Sequence, residues 1–196
     1  MKISNAVKIV ALVVIVAILS MVGITVSHAK EQGARPELNL KANYAFVDDY
    51  EVPALTKYVQ KQSKVKLSDY QAKTIVTSAI SHGNKLNVDP TLVLAVAEVE
   101  SEFNPKAKSS SSNAYGLMQV IPYWHKDKIR NRDMRQAKDQ IAVGAEVLAE
   151  YIETGGSVRA ALKLYSGGSN RYAMKVLKTR NRIRLHVVQE VLSVAV

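Results

Sequence analysis

Apolar residues recur at helical spacing through most of the chain beyond residue 53, and this periodicity limits the possible folds more than any other feature. Strand-like alternation of apolar and polar residues is hard to find, and there is no internal repeat. Clusters of glycine, proline and asparagine separate the periodic segments. Helices are predicted over residues 54–62, 67–86, 90–103, 136–154, 157–166, 170–178 and 183–194. The sequence therefore predicts an all-α fold in one small globular domain.

The segment 136–154 shows this periodicity clearly. One face of the predicted helix carries residues spaced for packing against a core, namely Ile141, Gly144, Leu148, Tyr151 and Ile152. Gly144 has no side chain beyond hydrogen, so we expect another element to approach the helix closely at that position.

The amino terminus has the composition of an export signal. Lys2 and Lys8 precede an uncharged apolar run over residues 9–26, and the small residues Ser27 and Ala29 occupy the two positions that a signal peptidase inspects. The run is longer than a signal-peptide core of about 7 to 15 residues and approaches the roughly 20 residues that span a bilayer. We therefore expect an exported, periplasmic chain. Residues 1–29 form either a cleaved signal peptide or a retained hydrophobic helix that anchors the chain in the inner membrane.

Residues 30–53 differ from the segments on either side. They mix charges with Gly33, Pro36 and Pro53, and they show no sustained helical or strand period. This composition is typical of a tether, so we predict a linker with little structure. The folded domain is then expected over residues 54–196.

Charge and cysteine content narrow the possible functions. The chain has 27 basic and 17 acidic side chains and a formal net charge of +10. Such an excess favours nucleic acid, an anionic membrane surface, or the acidic polymers and carboxylate-bearing peptides of a cell wall. An exported amino terminus does not suit nucleic acid, so no nucleic-acid partner is expected. Cysteine is absent and the four histidines lack paired metal-ligand spacing, so no disulfide and no metal site is predicted.

One predicted helix carries three glutamates, of which Glu100 differs from the other two. Asp89, followed by proline, is a good amino-terminal cap, and Pro105 disfavours helical geometry just before it. At about 100° per residue, Glu100 falls on the apolar side, whereas Glu98 and Glu102 fall on the opposite side. A carboxyl group among apolar side chains has a raised pKa, which suits a general acid. The alternative is a structural glutamate that pairs with a buried base or reaches solvent.

Five short motifs follow one another along the chain. They are Glu100-Ser101, Phe103-Asn104-Pro105, Gly116-Leu117-Met118-Gln119, Ala161-Leu162-Lys163-Leu164-Tyr165 and Tyr172. In this order and spacing they resemble the catalytic domain of the soluble-lytic-transglycosylase (SLT) family, relatives of goose-type lysozyme. The resemblance covers roughly residues 65–180. It implies a lysozyme-like helical domain and an enzyme that cuts the glycan strands of bacterial peptidoglycan and needs no cofactor.

The resemblance also implies the chemistry. In the SLT family one glutamate, here Glu100, protonates the glycosidic oxygen of the β-1,4 bond between N-acetylmuramic acid and N-acetylglucosamine. As a carboxylate it then takes the proton of the muramic 6-hydroxyl, and a 1,6-anhydro product forms. A two-carboxylate glycosidase would need a second acid across the cleft. The candidates Asp127, Asp133 and Asp139 lie in a strongly basic stretch, where a solvated surface role is expected.

Supporting roles follow from the same motifs. The resemblance implies that Ser101 hydrogen-bonds near the acid, that Met118 packs on a sugar and that Gln119 hydrogen-bonds it. Ser101 has the alternative role of a serine at the helix surface or end. Leu117 and Met118 have the alternative role of core residues, which we favour for Leu117.

The later motifs contribute two tyrosines and a departure from the family. Tyr165 is expected to orient the glutamate or to contact substrate through its hydroxyl, and Tyr172 resembles a later cleft tyrosine. Ser166 stands where the family usually has asparagine, so a substrate contact is shortened or lost. The run 108–113 is one residue longer than the common spacing. Both departures affect how the substrate is positioned.

Other functions stay open on the sequence alone. A goose-type muramidase would use water and give a reducing sugar, and a non-catalytic cell-wall-binding or assembly module would keep the fold without turnover. The biological setting is equally open, because wall remodelling, a secretion or conjugation machine and a phage could each use a small tethered enzyme.

Overall fold

The computed structural model describes residues 40–194, and this part of the chain folds into seven helices without a β-strand. The helices are α1 (Leu40–Gln62), α2 (Asp69–Lys85), α3 (Pro90–Ser101), α4 (Lys126–Ile129), α5 (Ala137–Gly155), α6 (Val158–Tyr165) and α7 (Asn170–Val194). Only isolated bridges occur between extended residues, Lys108 with Tyr115 and Tyr115 with Val120. The predicted all-α fold is confirmed.

Helix α3 lies at the centre of the domain. It packs against α2, α5 and α7, and every residue from 91 to 98 is buried. Its leucine, valine and alanine side chains face the core in all directions, and each buried leucine or valine contributes about 1.5–3 kcal/mol. The remaining helices form a layer around α3, with α1 against α2 and α7, and α5 against α2 and α6.

The ends of α3 follow from local sequence. The Asp89 carboxylate accepts a hydrogen bond from the amide of Thr91 at 2.9 Å, and Pro90 occupies the first turn, as predicted. At the other end, Glu102 and Phe103 both adopt left-handed backbone geometry, with φ of 50° and 56°. The helix therefore ends at Ser101, before the predicted residue 103, and the chain turns sharply directly after Glu100 and Ser101.

Two further predictions about helix boundaries are wrong. Helix α1 starts at Leu40, inside the segment 30–53, so the expectation of little structure does not hold for residues 40–53. The two helices predicted at 170–178 and 183–194 are one continuous helix, α7. The polar residues between them do not interrupt the helix, because Arg182 pairs with Glu98 and lies against α3.

The predictions for residues 1–29 lie outside the described residues. Within residues 40–194, the helices do not include one that is both long enough and apolar enough to cross a membrane.

Gly144 allows the close approach that the sequence predicts. The Met118 side chain lies directly against the Gly144 backbone of α5, where a β-carbon would overlap it. The Gly144→Ala variant is expected to lose about 1–3 kcal/mol of unfolding free energy by overpacking, although alanine is the better helix former by about 1 kcal/mol. Denaturant unfolding measures this difference. A stabilised variant would show that Met118 moves aside without cost.

Candidate active site

Glu100 lies in the last turn of α3, where the domain is only partly covered. Its side chain is half-buried, and its Oε1 atom accepts a hydrogen bond of 2.6 Å from the hydroxyl of Tyr172. Tyr172 is in the first turn of α7, a turn that Ser169 caps by accepting a hydrogen bond from the Tyr172 amide at 3.1 Å. The start of one helix thus holds the carboxyl group at the end of another.

Burial sets the protonation of this group. Loss of hydration raises the pKa of Glu100 above its ordinary value, while the Tyr172 hydrogen bond and the charge of Lys175 oppose the rise. Burial also raises the pKa of the Tyr172 and Tyr165 hydroxyls, and the nearby Glu100 charge adds to this effect. Both tyrosines therefore stay protonated as hydrogen-bond donors, beside a carboxyl group whose pKa burial raises above its ordinary value.

Tyr165 makes a different hydrogen bond from that of Tyr172. It lies at the end of α6, and its hydroxyl donates to the backbone oxygen of Met118 at 2.8 Å. Its ring is parallel to that of Tyr172, with centroids 6.4 Å apart and planes 3° apart. Tyr172 is therefore the tyrosine that contacts the Glu100 carboxylate directly, and Tyr165 braces Tyr172 against the Gly116–Gln119 turn.

An aromatic row leads from the carboxyl group into a groove. Tyr151 of α5 meets Tyr165 edge to face at 6.0 Å, and His125 lies 6.4 Å from Tyr151. Beside this row is a cavity of ≈ 390 Å³, which Tyr165, Tyr151, His125, Trp124 and Gln119 help to line. Glu100 does not itself line this cavity and reaches it through the tyrosine pair. Aromatic faces with a few polar groups suit a ligand that is apolar on its faces and polar at its edges.

Ser101 joins α3 to the Gly116–Gln119 turn. Its hydroxyl lies 2.9 Å from the backbone oxygen of Ala97 and 2.8 Å from that of Leu117. The side chain is buried, so a surface role is excluded. Ser101 therefore fixes the turn to the helix end that carries Glu100, and its hydrogen bonds go to the backbone instead of the carboxyl group.

The turn itself has one side chain toward the groove. Leu117 is fully buried, as expected. Met118 is 1% exposed and lies against Gly144, so its side chain cannot pack on a bound sugar in this structure. Gln119 lines the groove, and its amide nitrogen donates to the backbone oxygens of Ala107 and Gly116 at 3.1 and 2.9 Å. Of the predicted pair, only Gln119 faces the groove.

Ser166 also makes local hydrogen bonds. Its hydroxyl is 3.1 Å from the backbone oxygens of Leu162 and Lys163, and it accepts from the amide of Ser169 at 3.1 Å. It therefore ends α6 and shapes the turn that leads to Tyr172.

Sequence reasoning missed Gln140, which holds the loop that carries the turn. This side chain of α5 is 1% exposed. Its oxygen accepts from the Leu117 amide at 2.8 Å, and its nitrogen donates to the backbone oxygens of Pro105 and Met134 at 2.9 and 2.8 Å. The available signal was a glutamine directly before the apolar face that includes Ile141 and Gly144.

The prediction for Glu98 is wrong. It was assigned to the polar side of its helix, yet it is 9% exposed, accepts a hydrogen bond of 2.9 Å from the Tyr58 hydroxyl, and pairs with Arg182. The reason is that α3 is covered on all sides, so its less apolar face meets α1 and α7 instead of solvent. Burial raises the pKa of Glu98, and the contacts with Tyr58 and Arg182 oppose this rise. Because its carboxylate binds Tyr58 of α1 and Arg182 of α7, Glu98 of α3 links three helices.

Metal ligation has no support in the described part of the chain. No group of three or more histidine, aspartate or glutamate side chains in residues 40–194 is arranged to hold a metal ion. Among the histidines of residues 40–194, His125 is the one that lines the groove, and burial lowers its pKa, which favours the neutral imidazole.

Comparison with known proteins identifies the family. A carboxyl group of raised pKa, held by a tyrosine next to an aromatic groove on a helical domain, fits a protein that cleaves glycans. The model of the transglycosylase SLT domain family matches residues 77–187, more than half of the chain. The chain therefore belongs to the SLT transglycosylase domain family.

Individual relatives are similar over shorter stretches. A protein named "Transglycosylase" from Enterobacteria phage PRD1 is 35% identical over 104 residues, a match that covers 48% of this chain and 38% of the phage protein. "Membrane-bound lytic murein transglycosylase C" from Actinobacillus pleuropneumoniae serotype 5b (strain L20) is 53% identical over 38 residues, or 19% of this chain and 10% of that protein. The chain thus matches less than half of either relative.

Proposed function

We propose that the protein is a peptidoglycan lytic transglycosylase that cleaves the β-1,4 bond between N-acetylmuramic acid and N-acetylglucosamine. The observation that carries this proposal is the Glu100 carboxyl group, half-buried, raised in pKa and held at 2.6 Å by Tyr172 beside an aromatic groove. Family membership and the names of the two relatives agree with it. Mass analysis of the digestion products is the test, and its outcomes are set out in the Discussion.

In the proposed reaction Glu100 acts twice. As an acid it gives its proton to the glycosidic oxygen, and the bond from that oxygen to C1 of the muramic residue breaks. As a carboxylate it then takes the proton of the muramic 6-hydroxyl, whose oxygen forms the new bond to C1. The glutamate ends the cycle protonated, and the product is a 1,6-anhydro sugar with no water consumed. A raised pKa suits both steps, because it extends the acid form to higher pH and makes the carboxylate a stronger base.

A lone acid is favoured because the other candidate carboxylates already have partners. Asp127 is exposed and paired with Lys128, and Asp133 is paired with Arg135. Asp139 accepts a hydrogen bond from the Asp133 backbone. A two-carboxylate hydrolase would need one of these groups free on the far side of the bond. The muramidase alternative is therefore less well supported than the transglycosylase.

Supporting roles are proposed for five further residues, two of which contact the substrate. Tyr172 orients the acid, Tyr165 contacts a sugar in the groove, and the Gln119 amide hydrogen-bonds it, in exchange for part of its loop hydrogen bonds. Ser166 and Ser101 act indirectly, by shaping the turn before Tyr172 and by fixing the Gly116–Gln119 turn.

The Tyr172→Phe variant tests the proposed role of that hydroxyl. Because the Tyr172 hydrogen bond lowers the pKa of Glu100, its loss raises that pKa further. The acid form of Glu100 then persists to higher pH, so kcat/KM begins to fall on the alkaline side at a higher pH than in the wild-type protein. The maximum rate falls by about 10- to 100-fold because the acid is less well held. The exposed Tyr70→Phe serves as the control. If the alkaline fall of kcat/KM stays at the same pH or moves to lower pH, the result would contradict this role.

We also propose that the chain is exported and acts in the periplasm, where peptidoglycan lies. The motivating feature is the apolar run at residues 9–26. Whether residues 1–29 are removed or retained as an inner-membrane anchor is decided by intact-mass measurement of the purified protein. A mature chain that begins at Lys30 indicates cleavage. A full-length chain in the membrane fraction indicates an anchor, and a full-length chain in the cytosol would contradict export.

The phage relative favours one biological setting. The match to the protein from phage PRD1 suggests that this enzyme opens a local path through the wall for phage machinery. Secretion or conjugation machinery and remodelling of the host wall are the other settings. A deletion that abolishes phage entry but leaves conjugative transfer and wall growth unchanged would support the phage setting, and loss of transfer or of wall growth alone would support one of the others.

A further inference from the structure

Two exposed aromatic rings separate the groove from a second cavity. Tyr123 and Trp124 are 66% and 69% exposed, and their rings meet edge to face at 4.9 Å. Trp124 lines the groove beside Tyr165, whereas Tyr123 lines a different cavity of ≈ 730 Å³. Large aromatic side chains exposed side by side are uncommon without a binding role. A ligand that contacts Trp124 in the groove therefore lies next to the second cavity.

The second cavity is basic. Lys126, Arg130 and Arg132 contribute to its walls, together with Tyr123 and Ile129. Arg132 is paired with Glu146, and the one acidic wall residue, Asp127, is paired with Lys128. Among the described residues, Lys126 and Arg130 have no carboxylate within ion-pair distance. The Lys126 ammonium lies over the Tyr123 ring at 4.6 Å, a cation–π contact between two residues that line the cavity.

These two free cations are complementary to a ligand with carboxylates. In the proposed substrate, acidic peptides branch from the muramic residues along the glycan strand. We propose that the cavity bounded by Tyr123, Lys126 and Arg130 binds the carboxylates of such a stem peptide while its glycan lies in the groove beyond Trp124. This inference rests on the proposed function. It predicts that the enzyme prefers peptide-bearing strands to bare ones.

The shape of the site favours a short peptide over larger polyanions. Lys126 and Arg130 line a cavity next to the glycan groove, within reach of a peptide attached to a bound glycan, whereas a nucleic acid or a membrane surface would contact an extended basic face. An aromatic ring beside a cation also suits a peptide, because Tyr123 offers a flat surface for the peptide backbone while the ammonium binds a carboxylate.

Trp124 reports on this site through its ring contact with Tyr123, and its signal is unambiguous because it is the only tryptophan in the sequence. Its fluorescence is titrated with a synthetic, amino-acetylated stem peptide and with the same peptide after amidation of its carboxylates. The acidic peptide is expected to change the emission saturably, and the amidated peptide to bind about tenfold more weakly. A Lys126→Ala, Arg130→Ala double variant is expected to bind the acidic peptide about tenfold more weakly. The charge-matched control is a Lys66→Ala, Lys73→Ala variant, which changes two exposed lysines elsewhere.

The two hypotheses fail in different ways in this experiment. Equal weakening by both double variants, equal binding of both peptides, or no response of Trp124 would overturn the stem-peptide site. A larger response to anionic vesicles or an oligonucleotide would overturn it in favour of another polyanion. Because the titration needs no bond cleavage, saturable peptide binding together with an intact wall would count against the proposed function and leave the site standing. Wall cleavage without peptide binding would do the reverse.

Discussion

The Glu100→Gln variant is expected to cleave peptidoglycan about 10³-fold more slowly than the wild-type protein. Glutamine keeps the size of the side chain and can still accept the Tyr172 hydrogen bond, but it cannot give or take the proton that the proposed reaction moves twice. Release of soluble fragments from purified wall, followed at several pH values, measures the rate. The matched control is Glu102→Gln, two residues further along the chain, where the glutamate is exposed.

The same variant is expected to be more stable than the wild-type protein at neutral pH. Burial raises the pKa of Glu100 in the folded state, so the folded protein binds more protons than the unfolded chain between the two pKa values. Ionisation of Glu100 therefore lowers stability as pH rises, and glutamine removes this effect. The thermal midpoint should exceed that of the wild type at pH 7 and match it at about pH 4, below the ordinary pKa. Retained cleavage activity, or a midpoint that falls at neutral pH, would contradict the role assigned to Glu100.

The second large effect is expected at Gln140. The Gln140→Ala variant leaves the Leu117 amide and the backbone oxygens of Pro105 and Met134 without their buried partner. Each such unsatisfied group costs about 1–3 kcal/mol, and some of this cost is relieved where water enters the cavity. We expect the free energy of unfolding to fall by about 3–5 kcal/mol. Chemical denaturation with circular dichroism measures the change.

The Gln140→Ala variant should lose activity as well as stability. Its activity should be lost at a lower denaturant concentration than the one that unfolds the whole domain. Gln140 fixes the loop that carries Gln119 and the backbone oxygen to which Tyr165 is bound, so the groove loses its shape before the helices melt. Gln60→Ala makes the same chemical change at an exposed position of α1 and should have little effect. A loss below about 1 kcal/mol at Gln140 would show that the loop holds its place without this side chain.

The part of the site that could be predicted is the part with local signals. Asp89 with the following proline marks the start of α3, and the spacing of its apolar residues places Glu100 beside the core. The resemblance to the SLT family predicted that Tyr172 and Gln119 lie near the carboxyl group or the groove, because family motifs mark residues that come together in the fold. Gly144 was recognisable because a glycine on an apolar helix face leaves room for a neighbour.

The rest depended on contacts between distant segments. Periodicity assumes one buried face per helix, but α3 is covered on all sides, so Glu98 is buried against a tyrosine 40 residues away and an arginine 84 residues away. The same limitation applies to Met118, whose side chain could face either the groove or α5 until the packing of Gly144 was known. It also applies to α7, in which the polar residues 179–182 appear as a break in sequence, although Arg182 pairs with Glu98 of α3 and the helix continues.

The most direct test of the proposed chemistry is mass analysis of wall fragments released by the purified protein in heavy-oxygen water. The intramolecular mechanism predicts muramic ends that are one water lighter than reducing sugars and that carry no heavy oxygen, because the 6-hydroxyl of the same sugar closes on C1. Reducing muramic ends that carry heavy oxygen would contradict it, since they would show that water attacks C1.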